Sequence, residues 1–110
     1  MKETILLVDD EQGIRTVMGL SLRDAGYNVI TVASGEEALQ LFAERPIPIV
    51  ITDIRMPGMN GLDAAREILT KDPAARILFL TTFSDQAYIE QAMRLGTKGY
   101  LIKQDVAAIA

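Results

Sequence analysis

Ile49-Val50-Ile51-Thr52-Asp53-Ile54-Arg55-Met56-Pro57-Gly58-Met59-Asn60-Gly61 carries the pattern on which the fold turns. Its first residues form a short apolar and β-branched run, the mark of a strand buried on both faces. The run stops at a carboxylate, Asp53, and a loop rich in structure breakers follows. Leu62, Ala65, Ile68 and Leu69 then recur at helical spacing until Asp72-Pro73. A strand, an acid at its carboxyl end and a helix make one βα unit. The rest of the chain repeats it.

Upstream, Thr4-Ile5-Leu6-Leu7-Val8 is a first strand that runs into Asp9-Asp10-Glu11. Ile14, Val17, Met18, Leu22 and Ala25 follow at helical spacing, with Gly26 as a stop. Asn28 to Val32 reads as a second strand. Ser34-Gly35-Glu36-Glu37 has the form of a capping box, opening a helix that buries Ala38, Leu41 and Phe42. Pro46 and Pro48 then punctuate the chain. Downstream, Ile77-Leu78-Phe79-Leu80 is a fourth strand finishing at Thr81, and Ser84 can cap a helix bearing Tyr88, Ala92 and Leu95. Gly96 ends that helix, Tyr100-Leu101-Ile102 makes a fifth strand, and Asp105 can cap a last helix starting at Val106.

Repeated βα units predict an α/β fold, a doubly wound parallel sheet with helices on both faces. Right-handed crossovers leave few arrangements for five strands, and the flavodoxin-like order 2-1-3-4-5 is the common one. Periodicity alone does not fix that order. Residues 1–110 read as a single domain whose last helix is cut short, as in part of a longer chain.

Composition narrows the chemistry. At 110 residues and 49% hydrophobic, the chain has material for one core and not two. Its apolar runs are too short to span a membrane, and none has the form of a signal peptide, so a cytoplasmic location is expected. The net charge of −4 and the lack of a basic run argue against nucleic acid binding by this domain itself. There is no Cys and no His, which excludes thiolate chemistry, the usual zinc sites and a Ser-His-Asp triad. Carboxylates, hydroxyls, Lys and an oxygen-ligated metal remain.

The strand ends supply those groups. Strand one ends in Asp9-Asp10-Glu11, strand three in Asp53, strand four in Thr81-Thr82 and strand five in Lys103. Ligands in doubly wound sheets bind beyond the carboxyl ends, where strand order reverses. In the order 2-1-3-4-5 that point lies between strands one and three. Lys103 would start two strands away, roughly 10 Å, a gap that only a long side chain closes. Three carboxylates in one crevice repel unless a cation is present, and Mg2+ suits a small site that also holds phosphate oxygens. A carboxylate nucleophile, an ammonium and a hydroxyl suffice for phosphoryl transfer, which asks mainly for positioning and charge stabilisation. Singly, each residue has a plainer reading: a helix cap for Asp9 or Asp10, a loop start for Asp53, a surface lysine for Lys103. Four strands delivering the needed type at one edge is the specific observation.

Val8-Asp9-Asp10-Glu11, Thr52-Asp53-Ile54-Arg55-Met56-Pro57-Gly58-Met59-Asn60-Gly61, Leu80-Thr81-Thr82-Phe83 and Gly99-Tyr100-Leu101-Ile102-Lys103 together resemble response regulator receiver domains, from Thr4 to Asp105. The resemblance implies that Asp53 is the phosphoacceptor and that Asp9 and Asp10 arrange Mg2+. Asp10, Asp53 and the backbone carbonyl of Arg55 would be the direct ligands, with Thr81 and Lys103 on the phosphoryl oxygens. It further implies a sensor histidine kinase as donor and a switch in which Thr81 moves and Tyr100 swings inward. The face of helix 4, strand 5 and helix 5 would then change, and could also support a homodimer. The Leu-Thr-Thr-Phe and Gly-Tyr-Leu-Ile-Lys segments resemble receivers that carry a helix-turn-helix DNA-binding output, so transcription control is the expected role. Such a domain is a switch rather than a turnover enzyme.

The chain also departs from the family pattern. Gln104 stands where many relatives carry Pro after the lysine. Arg55 and Phe83 fill the positions two beyond the acceptor and two beyond the threonine, and their bulk predicts slow hydrolysis of the phosphoryl group. Rival readings fit less well. A small-molecule-binding flavodoxin-like module would want a glycine-rich phosphate loop, and no GxGxxG or GxxxxGK[ST] pattern occurs. A phosphohydrolase would commonly want an acid where Arg55 stands, and a pseudo-receiver would not need the full acidic set with Lys103.

Overall fold

The structure is a computed structural model that describes residues 2–82 and 86–103. Nine elements alternate along the chain. They are β1 (Thr4–Val8), α1 (Gln12–Asp24), β2 (Asn28–Val32), α2 (Gly35–Glu44), β3 (Ile49–Asp53), α3 (Gly61–Lys71), β4 (Arg76–Thr81), α4 (Gln86–Arg94) and β5 (Gly99–Ile102). The strands form one parallel sheet in the order β2-β1-β3-β4-β5. This is the doubly wound, flavodoxin-like arrangement expected from the βα repeat. The expected Ser84 cap, Phe83, Gln104, and the Asp105 cap with its last helix lie outside the described residues.

Period-two alternation explains why the strands are apolar throughout. In β1, Leu6 and Val8 join a cluster with Ala38 of α2, Leu62, Ala65 and Ile68 of α3, and Ala92 of α4. Ile5 and Leu7 point the other way, into a second cluster with Met18 of α1, Ile51 and Leu80. A strand clad on both faces has no side to spare for polar residues. Leu41 and Phe42 pack only half-buried against the larger cluster.

Local chemistry sets the helix ends. Ser34 caps α2, its hydroxyl accepting from the Glu37 N–H at 3.2 Å. The Ser34 hydroxyl in turn donates to the Glu37 carboxylate at 3.2 Å, so the box closes on the side chain. Asn60 caps α3 by accepting from the Asp63 N–H at 2.9 Å. Gly26 ends α1 with φ 101°, a left-handed conformation that costs glycine little.

Register brings the site together. Val8 pairs with Thr52, so Asp9 and Asp53 leave adjacent strands side by side. Asp53 pairs with Leu80 and Thr81 with Ile102, so Thr81 and Lys103 follow at the same edge.

Candidate functional site

Five polar or charged residues are buried among the described residues: Asp9, Thr52, Asp53, Thr81 and Lys103. Burial of unpaired charge is costly, so such residues gather only where they satisfy one another or bind something. Here four of the five stand at the carboxyl ends of β1, β3, β4 and β5 or in the residue just beyond. Thr52, the fifth, donates its hydroxyl proton to the Asp53 carbonyl at 3.0 Å.

Lys103 is the hub. Its Nζ lies 2.8 Å from Asp53 Oδ2, 2.8 Å from Glu11 Oε1 and 3.1 Å from Asp9 Oδ2. The side chain therefore crosses from β5 over β4 and β3 to the loop after β1, the reach its length was expected to supply. Asp9 is fixed from its other side, where Oδ1 accepts the Glu11 N–H at 2.8 Å. Its Oδ2, though beside the ammonium, accepts no directed hydrogen bond.

Glu11 is the residue that sequence reasoning passed over. It sits at the N-cap of α1 and makes no side-chain cap bond there. Its carboxylate turns to Lys103 instead. The signal was present, since Glu11 follows Asp9-Asp10 directly, but adjacency in the chain does not show which acid a distant lysine will reach.

One ammonium faces more than one carboxylate, and the site keeps an excess of negative charge. Asp9, Asp10, Glu11 and Asp53 each offer a carboxylate oxygen, all within 4.8 Å of one another. Burial pushes the Asp53 carboxyl up to about 7, against the downward pull of its hydrogen bond from Lys103. Burial also raises Asp9, outweighing the Glu11 N–H that favours its charged form. For Lys103, burial works against the ammonium, but its hydrogen bonds to Asp53 and Glu11 more than offset that and hold it above the ordinary lysine range. The proton stays on the lysine, and the carboxylates carry the strain.

A hard divalent cation with oxygen ligands would relieve that repulsion. The donor set fits: all-oxygen, partly exposed through Asp10 and Glu11, and containing a buried Oδ2 with no directed donor. Gly61 sets how closely α3 approaches this edge. A Cβ there would fall 2.0 Å from the Asp53 carbonyl oxygen, so only glycine lets its N–H reach the Ile54 carbonyl at 2.7 Å.

The remaining sequence candidates are placed as follows. Thr81 is buried at the end of β4, its hydroxyl donating weakly to the Thr82 carbonyl at 3.4 Å. Arg55 is exposed in the loop after β3, its guanidinium 6.0 Å from the ring centroid of Tyr88 in α4. Tyr100 is 44% exposed on β5.

Comparison with known proteins follows this geometry. The chain matches the response regulator receiver domain over residues 5–109. It is 40% identical over 102 residues to the probable transcriptional regulator ycf27 of Guillardia theta, covering 93% of this chain and 40% of that protein. It is 36% identical over 104 residues to the chemotaxis protein CheY of Thermotoga maritima, covering 94% of this chain and 87% of that protein. The response regulator protein TrrA of Thermotoga maritima, solved with Mg(2+)-BeF, superposes with a TM-score of 0.82 at 34% identity, covering 98% of this chain and 99% of that one. TrrA has also been solved in complex with the histidine kinase ThkA, with a TM-score of 0.80, 37% identity and coverage of 91% and 84%. Thus the chain spans two fifths of the ycf27 protein but most of CheY. Among the described residues, no helix is long and apolar enough to cross a membrane.

Proposed function

The chain belongs to the family of response regulator receiver domains, and on that premise we propose that it accepts a phosphoryl group on Asp53 from the phosphohistidine of a sensor histidine kinase. The observation that carries this reading is the Lys103 ammonium 2.8 Å from Asp53 Oδ2 within a four-carboxylate cluster. An Asp53 oxygen attacks phosphorus, the phosphorus–nitrogen bond of the donor breaks, and the imidazole departs with the bonding electrons. Asp53 acts as its carboxylate. Lys103 holds that carboxylate in place and takes a transferred phosphoryl oxygen as partner, because its ammonium already faces the reacting oxygen. Thr81, at the neighbouring strand end, offers a hydroxyl to a second phosphoryl oxygen.

Asp10, Asp53 and the Arg55 carbonyl would hold Mg2+, with Asp9 arranging them. The ion supplies neutralisation of charge on the phosphoryl oxygens and the acids. The complex of TrrA with Mg(2+)-BeF, a relative covered over nearly its whole length, supports this choice of ion. The complex of TrrA with ThkA supports a histidine kinase as partner.

Output follows from the added charge. A phosphoryl group draws the Thr81 hydroxyl toward it, and Tyr100 swings inward from its exposed position into the space behind. The face of α4 and β5 thereby changes shape for a partner or a second copy of the chain. The likeness to the ycf27 regulator supports transcription control through a DNA-binding domain in a longer protein. In this role the chain is a cytoplasmic switch and not a turnover enzyme, and 1–110 is one receiver domain. Arg55 shields the acyl phosphate from water and prolongs it. Incubation with acetyl phosphate tests the reading: intact mass should rise by one phosphate with Mg2+ and stay unchanged in EDTA. Equal uptake in both would overturn the metal-dependent reaction.

A further inference from the structure

We infer that Glu11 is a positioning residue for Lys103: its carboxylate holds the ammonium in the unphosphorylated chain and is the partner that a phosphoryl oxygen displaces. The inference rests on the proposed phosphorylation of Asp53 and deepens it, by naming the side chain that restrains uptake.

An ammonium has three N–H donors and accepts nothing. Around Lys103 Nζ stand three carboxylate oxygens, Asp53 Oδ2 at 2.8 Å, Glu11 Oε1 at 2.8 Å and Asp9 Oδ2 at 3.1 Å. The first two accept directed hydrogen bonds, and the third closes the remaining side without one. The lysine side chain is only 9% exposed, so a fourth oxygen has little room. A phosphoryl oxygen that pairs with this ammonium must take the place of a carboxylate oxygen.

The three partners differ in how easily they leave. Asp9 is wholly buried, and its other oxygen accepts the Glu11 N–H at 2.8 Å. Asp53 is buried and carries the incoming group, so it stays. The Glu11 side chain is 59% exposed, and a carboxylate released there returns to water at little cost. Glu11 also holds the N-cap position of α1, where its side chain makes no cap bond. Ser, Thr, Asp and Asn are the usual caps at such a position, and the longer side chain here reaches Lys103 instead. Backbone and side chain thus have separate duties. The N–H fixes Asp9, and the carboxylate restrains Lys103. A side-chain substitution lifts the restraint and leaves the Asp9 contact intact.

The experiment titrates beryllofluoride, which mimics a phosphoryl group on a carboxylate, into the unaltered chain, Glu11→Gln and Glu11→Asp. Mg2+ is kept at a concentration that saturates each protein, and binding is followed by backbone amide NMR. Glu11→Gln removes the charge at constant size. Glu11→Asp keeps the charge, but its side chain is one methylene shorter and suits the helix cap. A partly exposed ion pair is a modest restraint, so both variants should bind beryllofluoride about two- to fivefold more tightly. The half-saturating concentration of acetyl phosphate for uptake, read by intact mass, should fall by a similar factor. A merely structural role predicts the opposite sign. Tighter binding in Glu11→Gln alone would assign the effect to general repulsion of the anion and overturn the inference, as would unchanged or weaker binding in both variants. If Glu11→Gln does not fold, Glu11→Asp decides by the same criterion. Should the unaltered chain neither bind beryllofluoride nor take up phosphate, the underlying reading fails and this inference falls with it; normal binding with indifferent variants defeats the inference alone.

Discussion

Lys103 Nζ and Asp53 Oδ2 stand 2.8 Å apart although fifty residues separate them in the chain. The pair joins the last described residue of the fold to its central strand, and it holds a buried ammonium among carboxylates that outnumber it. That imbalance governs the behaviour of the unliganded protein, and most of the following expectations derive from it.

Mg2+ should stabilise the fold. An ion that binds only the folded protein adds about 2.7 kcal/mol when present at a hundred times its dissociation constant. Thermal melting with and without MgCl2 should show an upward shift, and Asp10→Asn should remove most of it. Asp10 is the apt choice because it is exposed, so its loss removes a ligand without opening the core.

Stability without metal should fall as pH rises through neutrality. Burial raises the Asp53 carboxyl to about 7 in the fold, well above its ordinary value near 3.8. Between those two values the folded state binds a proton that the unfolded chain does not, so stability declines as pH climbs from about 4 to about 7. Asp9, raised by burial, adds in the same direction. Urea unfolding in EDTA should give a stability about 1–3 kcal/mol greater at pH 5 than at pH 8. Mg2+ should flatten the difference, because it favours the charged acids.

Asp53→Asn and Lys103→Met should move stability in opposite directions. At pH 8 without metal, the amide removes a buried charge and should stabilise by about 1–3 kcal/mol. Removing the ammonium leaves Asp9, Glu11 and Asp53 facing one another and should cost about 3 kcal/mol or more. The Lys103→Met loss should shrink at pH 5, where the acids can protonate. Both variants should fail to become phosphorylated normally. Chemical unfolding at the two pH values checks the signs.

Gly61→Ala should disturb the proposed acceptor, Asp53, directly. The new Cβ would meet the Asp53 carbonyl oxygen at 2.0 Å, backbone that has little freedom to yield. Overpacking of this kind costs about 1–3 kcal/mol, and here it would also displace the nucleophile. Slower phosphoryl uptake together with a lower melting temperature is the expected pair of results.

The fold was largely legible in the sequence because β-branched apolar runs alternate with helical spacing, and four of the five runs lead directly into a polar residue, Asp9, Asp53, Thr81 or Lys103. The strand ends Asp53, Thr81 and Ile102 sit where that punctuation placed them. Asp9, Asp53 and Lys103 were legible as a group only because strand order carries them to one edge; spacing alone says nothing of contact. What escaped was contact between side chains of unlike reading. Glu11 was legible as one of the acids ending strand one but was given no role of its own, yet its carboxylate serves Lys103. Tyr88 looked like a core position of α4, yet its ring faces Arg55. The capping-box pattern at Ser34 was legible, but not that the Ser34 hydroxyl would donate to the Glu37 carboxylate.

The most direct measurement locates the phosphoryl group. The chain is incubated with acetyl phosphate and Mg2+, digested in acid, and its peptides are sequenced by tandem mass spectrometry. A single modified site at Asp53, absent after Asp53→Asn, is the predicted result. Phosphate on Asp9, Asp10 or any other residue in the unaltered chain would contradict the account.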